Sequence, residues 1–215
     1  MGFGISILNW PRKDNLRDEQ MMGLYEYYAK EKRTLFLRGE LSHEAVVFAD
    51  YIYGLAEMSA DPIKIIIYSS GGVADVCFAI IDAMKHVRTP VWTIGQYAAS
   101  AAALILASGQ KEHRYIQSRA IVTLHYGAEY IQSLFPGQVF VTDLHDARKR
   151  LENLERLREE FIDLLHEFGC QKSKEDLIKV FDQERDIHLT NIKTPPFHQA
   201  IEWGLADYIY SGGVI

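Results

Sequence analysis

Apolar and polar positions along the chain follow two patterns, short apolar runs typical of strands and longer stretches with helical spacing. "RTLFLRGEL", residues 33–41, has strand composition, and residues 42–60 show helical spacing behind a predicted Ser42 cap. "IKIIIYS", residues 63–69, is typical of a strand buried on both faces, and a glycine turn and a helical pattern over 73–87 follow it. This alternation of strands and helices predicts an α/β fold.

The same unit recurs in the second part of the chain. Residues 89–97 have a strand pattern, and 98–109 have a helical pattern that ends at a glycine. Two more short strands are predicted over 113–117 and 120–126. The stretch 195–210 indicates a short helix, a glycine stop and an edge strand.

A long amphipathic helix is predicted over about 141–168. Its apolar positions recur at steps of three and four residues: Leu144, Ala147, Leu151, Leu154, Leu157, Phe161, Leu164 and Phe168. A helix of about 40 Å exceeds what a domain of this size usually holds internally, so we expect it to protrude and to pack against another subunit. A further helix should begin at the capping-box pattern of Ser173 and Asp176.

Composition and charge exclude several classes of protein. At 215 residues and 48% hydrophobic content the chain is long enough for one well-buried domain. Its net charge is −6, and the 23 basic residues are interspersed with 29 acidic ones, so we expect neither a nucleic-acid nor an anionic-lipid partner. Cys77 and Cys170 lie far apart in apolar segments, a pattern typical of buried thiols in a reducing, cytoplasmic compartment rather than of a disulfide or zinc site.

The N-terminal "MGFGISILNWPRK" has neither the basic start of a signal peptide nor the length of a membrane anchor, and no other run is long enough to cross a bilayer. Two interpretations of this segment stay open. It is a terminus strapped loosely onto the fold, or an apolar segment that contacts something outside it.

Ser100 is the one hydroxyl within the alanine-rich run 98–107. It could serve packing, because a small residue lets a helix lie close to a strand. It could also be a nucleophile at a strand-to-helix turn. The second interpretation requires an imidazole base, a carboxylate that orients the base, and N–H donors for an oxyanion.

Two further features could supply those groups. His125 follows a predicted strand, and the ends of strands are where open α/β folds gather reactive groups. Gly71 and Gly72 follow a buried strand and lack side chains that would block close approach to an oxyanion. A hydrogen-bonded structural histidine and an ordinary turn are the alternatives.

Taken together, the motifs resemble the caseinolytic peptidase P family, the proteolytic subunits of the ATP-dependent Clp protease. "KEKRTLFLRGEL", "IIIYSSGG", "AIIDAM", "GQYAASAAALILASG" and "SRAIVTLHYG" match its segments in order, as do "DQERDIHL" and "AIEWGLAD". The resemblance covers roughly residues 25–210. Ser70 stands where the family has a proline.

The resemblance implies a role for particular residues. Ser100 would be the nucleophile, His125 the general base and Asp186 the carboxylate that orients it, while the backbone N–H groups of Gly72 and Ala101 would form the oxyanion hole. It also implies a contact between two rings.

That contact would pair Asp182 with Arg185 across the rings. The implied fold is a crotonase-like superhelix of β-β-α units with the long helix 141–168 as a handle that interlocks the rings. Residues 1–24 would be an N-terminal segment, a candidate loop of the axial pore, and 25–210 the peptidase domain.

The function predicted from these motifs is a serine endopeptidase that hydrolyses unfolded polypeptides inside a ring-shaped chamber. The resemblance implies a homo-oligomer of two stacked heptameric rings, a tetradecamer, fed by an AAA+ unfoldase. No metal or other cofactor is expected, and the chain has no G-x-x-x-x-G-K-[ST] phosphate loop, so ATP would be used only by the partner.

Three other functions compete with this one. A catalytically inactive structural ring subunit would not need the Ser100, His125 and Asp186 set. A crotonase-like acyl-CoA enzyme would rely on glycine N–H groups and a carboxylate. A Ser/Lys dyad would need a lysine base, for which Lys111 is the nearest candidate, beyond the predicted helix stop.

Overall fold

The computed structural model describes residues 15–125, 144–183, 186–190 and 198–211. Its centre is a sheet in which four strands lie side by side in chain order and run parallel: β1 (Thr34–Leu41), β2 (Ile63–Gly72), β3 (Val91–Ala99) and β4 (Arg114–Leu124). Two short strands pair with the outer edge of β4: β5 (Ile187–Leu189), which is antiparallel to it, and β6 (Tyr208–Ile209), which is parallel.

Parallel neighbours require crossover connections, and each connection here contains a helix. The helices of the structure are α1 (Asn15–Lys32), α2 (Val47–Met58), α3 (Ala74–His86), α4 (Ala101–Ala107), α5 (Leu144–Glu167), α6 (Lys174–Gln183) and α7 (Gln199–Glu202). Of these, α2, α3 and α4 connect the four parallel strands. The α/β prediction is therefore confirmed.

The core lies between the sheet and the crossover helices. Ile63, Ile65 and Ile67 of β2 are completely buried, and they pack in one cluster with residues of α2 and α3 such as Ile52 and Ile80. All seven residues of α4 are buried, which explains why the segment is built from alanine, leucine and isoleucine.

One strand occupies the place where two were expected. Residues 113–117 and 120–126 were predicted as separate strands, whereas β4 runs unbroken from Arg114 to Leu124. Its pairing with β3 jumps from Gly95↔Ile116 to Tyr97↔Ile121, so residues 117–120 bulge opposite one residue of β3. The polar residues 117–119 are exposed in this bulge, which explains why the pattern breaks there.

Helix α1 was not predicted, since its sequence has no clear apolar stripe. It is held on β1 by aromatic contacts, with the rings of Tyr25 and Tyr28 lying 4.9 and 5.4 Å from that of Phe36. The helix crosses residue 24, where the sequence analysis placed the boundary of the N-terminal segment. Residues 1–14 lie outside the described residues, so the axial-pore expectation stays a prediction.

The long helix is present as α5, 24 residues and about 36 Å long. It covers most of the predicted range 141–168, of which 141–143 lie outside the described residues. Phe161, Ile162 and Leu165 in its C-terminal half are buried, whereas Leu151 is 57% exposed. At Leu151 the helix therefore extends beyond the packed core of the single chain.

The two predicted helix caps have different outcomes. The Ser173 hydroxyl accepts a hydrogen bond from the Asp176 N–H at 3.0 Å, which confirms the cap of α6. Ser42 occupies the N-cap position of a short 3₁₀ helix, His43–Val46, that precedes α2, but its hydroxyl donates to the Glu44 carboxylate and makes no capping hydrogen bond.

Candidate active site

Ser100 occupies a strained turn between β3 and α4. Its backbone has φ 56° and ψ −127°, and in the described part of the chain only Arg33 and Glu112 share a positive φ without being glycine. The turn is held on both sides, since the Ser100 N–H donates to the Thr123 carbonyl at 2.8 Å and its carbonyl accepts from the Ala103 N–H at 2.9 Å. A strand-to-helix turn of this kind exposes the serine hydroxyl, as in a nucleophile elbow.

The end of β2 lies against this turn because it carries two glycines. A Cβ on Gly71 would come within 2.5 Å of the Ala99 carbonyl oxygen and 2.8 Å of the Ser100 Cβ. One on Gly72 would come within 2.4 Å of the Leu41 carbonyl oxygen. Both positions thus require glycine because the neighbouring backbone lies too close for a side chain, and not only because of the turn geometry.

A buried hydroxyl supports the glycine loop. The Gly71 N–H donates to Oγ of Ser69 at 3.1 Å, and Ser69 is only 1% exposed. The loop lacks the proline that the family has at position 70, and this hydrogen bond constrains it instead.

His125 and Asp186 are brought together by the pairing of β4 with β5. The antiparallel register places Ile187 opposite Leu124, so the residues that flank this pair lie side by side. The His125 Nδ1 is 3.7 Å from the Asp186 Oδ1. This distance is longer than a hydrogen bond, and the Asp186 side chain is 47% exposed.

Four of the predicted site residues line one cleft. Ser100, His125, Gly72 and Ala101 line it together, with Asp186 beside the imidazole. The remaining wall is apolar and consists of Ala74, Cys77, Phe78, Leu104, Leu157 and Phe161. The cleft can therefore hold an apolar group next to a hydroxyl and an imidazole.

Cys77 is a second potential nucleophile in this wall, but its environment makes it unreactive. Its side chain is completely buried, and burial strongly raises the pKa of the thiol. The Sγ donates to the Ala101 carbonyl at 3.2 Å. Because a thiol must ionise to react, the serine is the better nucleophile of the two.

Among the described residues, the lysine base that a Ser/Lys dyad would need is not found at the cleft. Lys111 is exposed in the turn between α4 and β4, and no lysine lines the cleft.

Within the described residues, no group of three or more histidine, cysteine or acidic side chains is arranged to hold a metal ion. Nor does the described part contain a helix long and apolar enough to span a membrane.

Of the expected inter-ring pair, the structure describes only Asp182, and within a single chain. Asp182 lies in the last turn of α6, where its carboxylate accepts a hydrogen bond from Arg158 of the same chain at 2.7 Å. Arg185 lies outside the described residues. Pairing of Asp182 with Arg185 across rings stays a prediction.

The sequence analysis missed the apolar wall and the contact of Arg158 with Asp182. Leu157 and Phe161 were assigned to the subunit-facing stripe of the long helix, yet they line the cleft. Helical spacing identifies an apolar face but not what covers it, so the sequence carries no signal that separates the two roles.

A comparison with protein-family models agrees with the geometry. The model of one family, described as Clp protease, matches residues 17–212. The match covers nearly the whole chain and includes the residues that line the cleft.

Proposed function

The chain belongs to the Clp protease family, and from that premise we propose that it is a serine endopeptidase that hydrolyses unfolded polypeptides by a Ser-His-Asp triad. The family supports a Clp-type protease with the crotonase-like fold. One arrangement supports the serine mechanism most directly: Ser100, in a strained turn, lines the same cleft as His125, and the imidazole of His125 faces the Asp186 carboxylate.

In the acylation step, Oγ of Ser100 attacks the carbonyl carbon of the scissile peptide bond. His125 takes the hydroxyl proton on Nε2, and Asp186 holds the tautomer that carries its proton on Nδ1. The carbonyl oxygen becomes an oxyanion, for which the N–H groups of Gly72 and Ala101 are the proposed donors. When the tetrahedral intermediate collapses, the C–N bond breaks and the amine leaves with the proton from the imidazolium.

In the deacylation step, a water molecule attacks the acyl-enzyme ester. His125 accepts one proton from the water, and a second tetrahedral intermediate forms. Its collapse breaks the ester bond, returns the proton to Oγ of Ser100 and releases the carboxylic acid. His125 therefore acts as a base and then as an acid in each half of the cycle.

The apolar wall of the cleft supports a preference for an apolar side chain next to the scissile bond. Leu157 and Phe161 from α5, and Phe78 and Leu104 from the crossover helices, would surround such a side chain. A charged side chain there would lose its hydration without gaining a partner from these residues.

Assembly is the second part of the proposal. We propose a homo-oligomer of two stacked heptameric rings that encloses the active sites, with ATP used by an AAA+ unfoldase that feeds it. The exposed apolar side chain of Leu151 on α5 supports an inter-subunit role for that helix. The two free, buried cysteines suit a cytoplasmic, reducing environment.

Fluorophosphonate labelling combined with intact-complex mass tests the proposal. We expect the wild type to be labelled once per subunit, and Ser100→Ala to lose labelling and peptide hydrolysis while keeping the mass of the assembly. Ser108→Ala is the matched control, since Ser108 follows the same helix but does not line the cleft.

Each failure has a distinct meaning. Labelling that persists in Ser100→Ala removes this serine from the mechanism. An assembled wild type that neither labels nor hydrolyses peptides indicates the inactive ring subunit, and turnover of acyl-CoA thioesters without peptide hydrolysis indicates the crotonase-like enzyme.

A further inference from the structure

Arg158 connects the long helix α5 to the last turn of α6. Its Nη2 donates to the Asp182 Oδ1 at 2.7 Å and to the Ile178 carbonyl at 3.2 Å. The carbonyl of Ile178 lies near the middle of α6, one turn before Asp182, and positive charge is favourable near the C-terminus of a helix. One guanidinium therefore holds both the backbone and a side chain of α6.

The end of α6 leads directly to the proposed catalytic carboxylate. The helix ends at Gln183, and Asp186 follows three residues later, immediately before β5. On its other side Asp186 is held by the pairing of Ile187 with Leu124. The chain thus connects the carboxylate directly to β5 on one side and, through residues 184–185, which lie outside the described residues, to the end of α6 on the other.

We propose that Arg158 is a positioning residue for the Asp186 carboxylate, acting through Asp182 and the last turn of α6. The proposal rests on the proposed serine mechanism, in which Asp186 orients His125. Leu157 and Phe161, which lie near Arg158 on α5, line the cleft. The same segment of α5 therefore contributes both to the wall of the cleft and, through Arg158, to the proposed positioning of Asp186.

Asp186 is sensitive to such support because it is loosely held. Its carboxylate is half exposed and lies 3.7 Å from the His125 Nδ1, beyond hydrogen-bond distance. A shift of a few tenths of an ångström in the end of α6 either closes this gap or widens it. Arg158 itself is well placed to control the shift, since only 21% of its side chain is exposed.

The contact is not needed to hold the two helices together. The buried rings of Phe161 and Phe181 lie 6.1 Å apart, edge to face, and Lys174 pairs with Asp163 at the other end of α6. Removal of Arg158 should therefore leave α6 docked and change chiefly its last turn. A purely structural ion pair would not have this selective effect.

The test compares Arg158→Ala with Arg156→Ala in the assembled protein. Arg156 lies on the same helix, but its contacts with Asn153 and Glu160 stay within that helix. For each variant the rate of acylation by a fluorophosphonate is measured per Ser100 site from pH 5 to 9, and the titration of His125 is followed by NMR.

We expect Arg158→Ala to lower the acylation rate between about tenfold and a hundredfold, since small displacements of catalytic groups have effects of this size. The acid limb of the pH profile should move to lower pH, because an imidazole that loses its carboxylate neighbour holds its proton less tightly. Asp182→Ala should have the same effect, the double variant should lose no more than either single one, and Arg158→Lys should recover part of the rate.

The inference is overturned if Arg158→Ala and Arg156→Ala behave alike, or if the rate falls only with loss of assembled mass while the acid limb stays in place. Failure of the proposed function looks different. In that case the wild type is not labelled at Ser100, whereas the NMR titration of His125 still reports whether Arg158 affects its contact with Asp186.

Discussion

At the scale of single residues, the environment of Ser100 explains both its identity and its conformation. The positive φ costs free energy that a non-glycine residue retains only when its surroundings enforce it. Here the hydrogen bonds to Thr123 and Ala103 and the close contact with Gly71 enforce it. An ordinary packing serine in α4 would need none of these constraints.

His125 is the residue whose removal most directly tests the proposed chemistry. We expect His125→Ala to lower peptide turnover by about 10³-fold or more, because the serine hydroxyl loses its general base. His166→Ala, on α5 but outside the cleft, should change turnover by less than about threefold.

Initial rates with a short fluorogenic peptide, normalised to the concentration of assembled protein, measure both variants. The same loss in both would show that the histidines act through assembly rather than through catalysis.

At the scale of elements, the loop at the end of β2 and the β3–α4 turn form one unit. Gly71 has φ +82°, and any Cβ there meets the backbone of Ala99 and Ala101 as well as Ser100. The proposed oxyanion donors, Gly72 and Ala101, lie on the two sides of this contact. Their separation therefore depends on a residue without a side chain.

Gly71→Ala should accordingly separate the loop from the turn. We expect acylation by a fluorophosphonate to fall by about 100-fold or more, since the oxyanion donors and the nucleophile are displaced together. Gly54→Ala is the control, because nothing lies within 4 Å of its added Cβ and alanine favours a helix by about 1 kcal/mol.

Acylation rates and thermal unfolding of the two glycine variants are the measurements. A Gly71→Ala protein that is acylated at the wild-type rate would contradict the tight contact between the loop and the turn.

At the scale of the whole molecule, one buried ion pair joins elements that are distant in sequence. Arg114 at the start of β4 donates from Nη2 and Nε to the Asp207 carboxylate at 2.6 and 3.0 Å, and from Nη1 to the carbonyls of Phe168 and Ala107. The arginine is 3% exposed. It thus links the sheet to the ends of α4 and α5 and to the segment before β6.

We predict that Arg114→Ala lowers the free energy of unfolding by about 3–5 kcal/mol, because it leaves the Asp207 carboxylate buried without its partner. Lys85→Ala removes an exposed pair with Glu167 and should cost less than about 1 kcal/mol. Urea unfolding at one fixed protein concentration measures the difference. Equal midpoints for the two variants would contradict a linking role for Arg114.

Acid should weaken the same pair. Burial alone would raise the pKa of Asp207, but the hydrogen bonds and charge of Arg114 outweigh it and hold this pKa below its usual range. The pair therefore stabilises the fold above the unfolded-state pKa of about 3.9, and its contribution is lost as the pH falls through the lower folded-state pKa.

His198 gives stability a dependence on pH in a different range. Its Nδ1 accepts from the Ala200 N–H and its Nε2 lies 2.9 Å from the Ala120 carbonyl, so the neutral ring caps α7 and contacts β4. Burial lowers the pKa of this imidazole. The unfolded chain thus takes up a proton below about pH 6.5 before the folded chain does, and stability falls as the pH drops from there.

We expect His198→Asn, which keeps a side-chain acceptor for the cap, to lose less thermal stability than the wild type between pH 7 and pH 5. Thermal midpoints at both pH values, at one protein concentration, measure this difference. A variant with the same decline as the wild type would show that other groups account for the acid sensitivity.

Much of this architecture follows from local sequence patterns. Three local features can be recognised without knowing the fold, because each involves only neighbouring residues: the β-branched run of β2, the helical spacing of α3 and the Ser173 cap of α6. The strand-turn-helix order around Ser100 and the strand before His125 also predict where candidate reactive groups lie. What local patterns leave open is which of these groups meet.

Tertiary packing decided the remaining features. The two predicted strands form the single strand β4 because its pairing with β3 continues beyond the bulge. Helix α1 forms although its apolar pattern is weak, because its aromatic rings pack against Phe36. Leu157 and Phe161 line the cleft, and Arg158 reaches Asp182, 24 residues away. These outcomes depend on contacts between residues distant in the chain, whose free energy is determined only once the elements have packed.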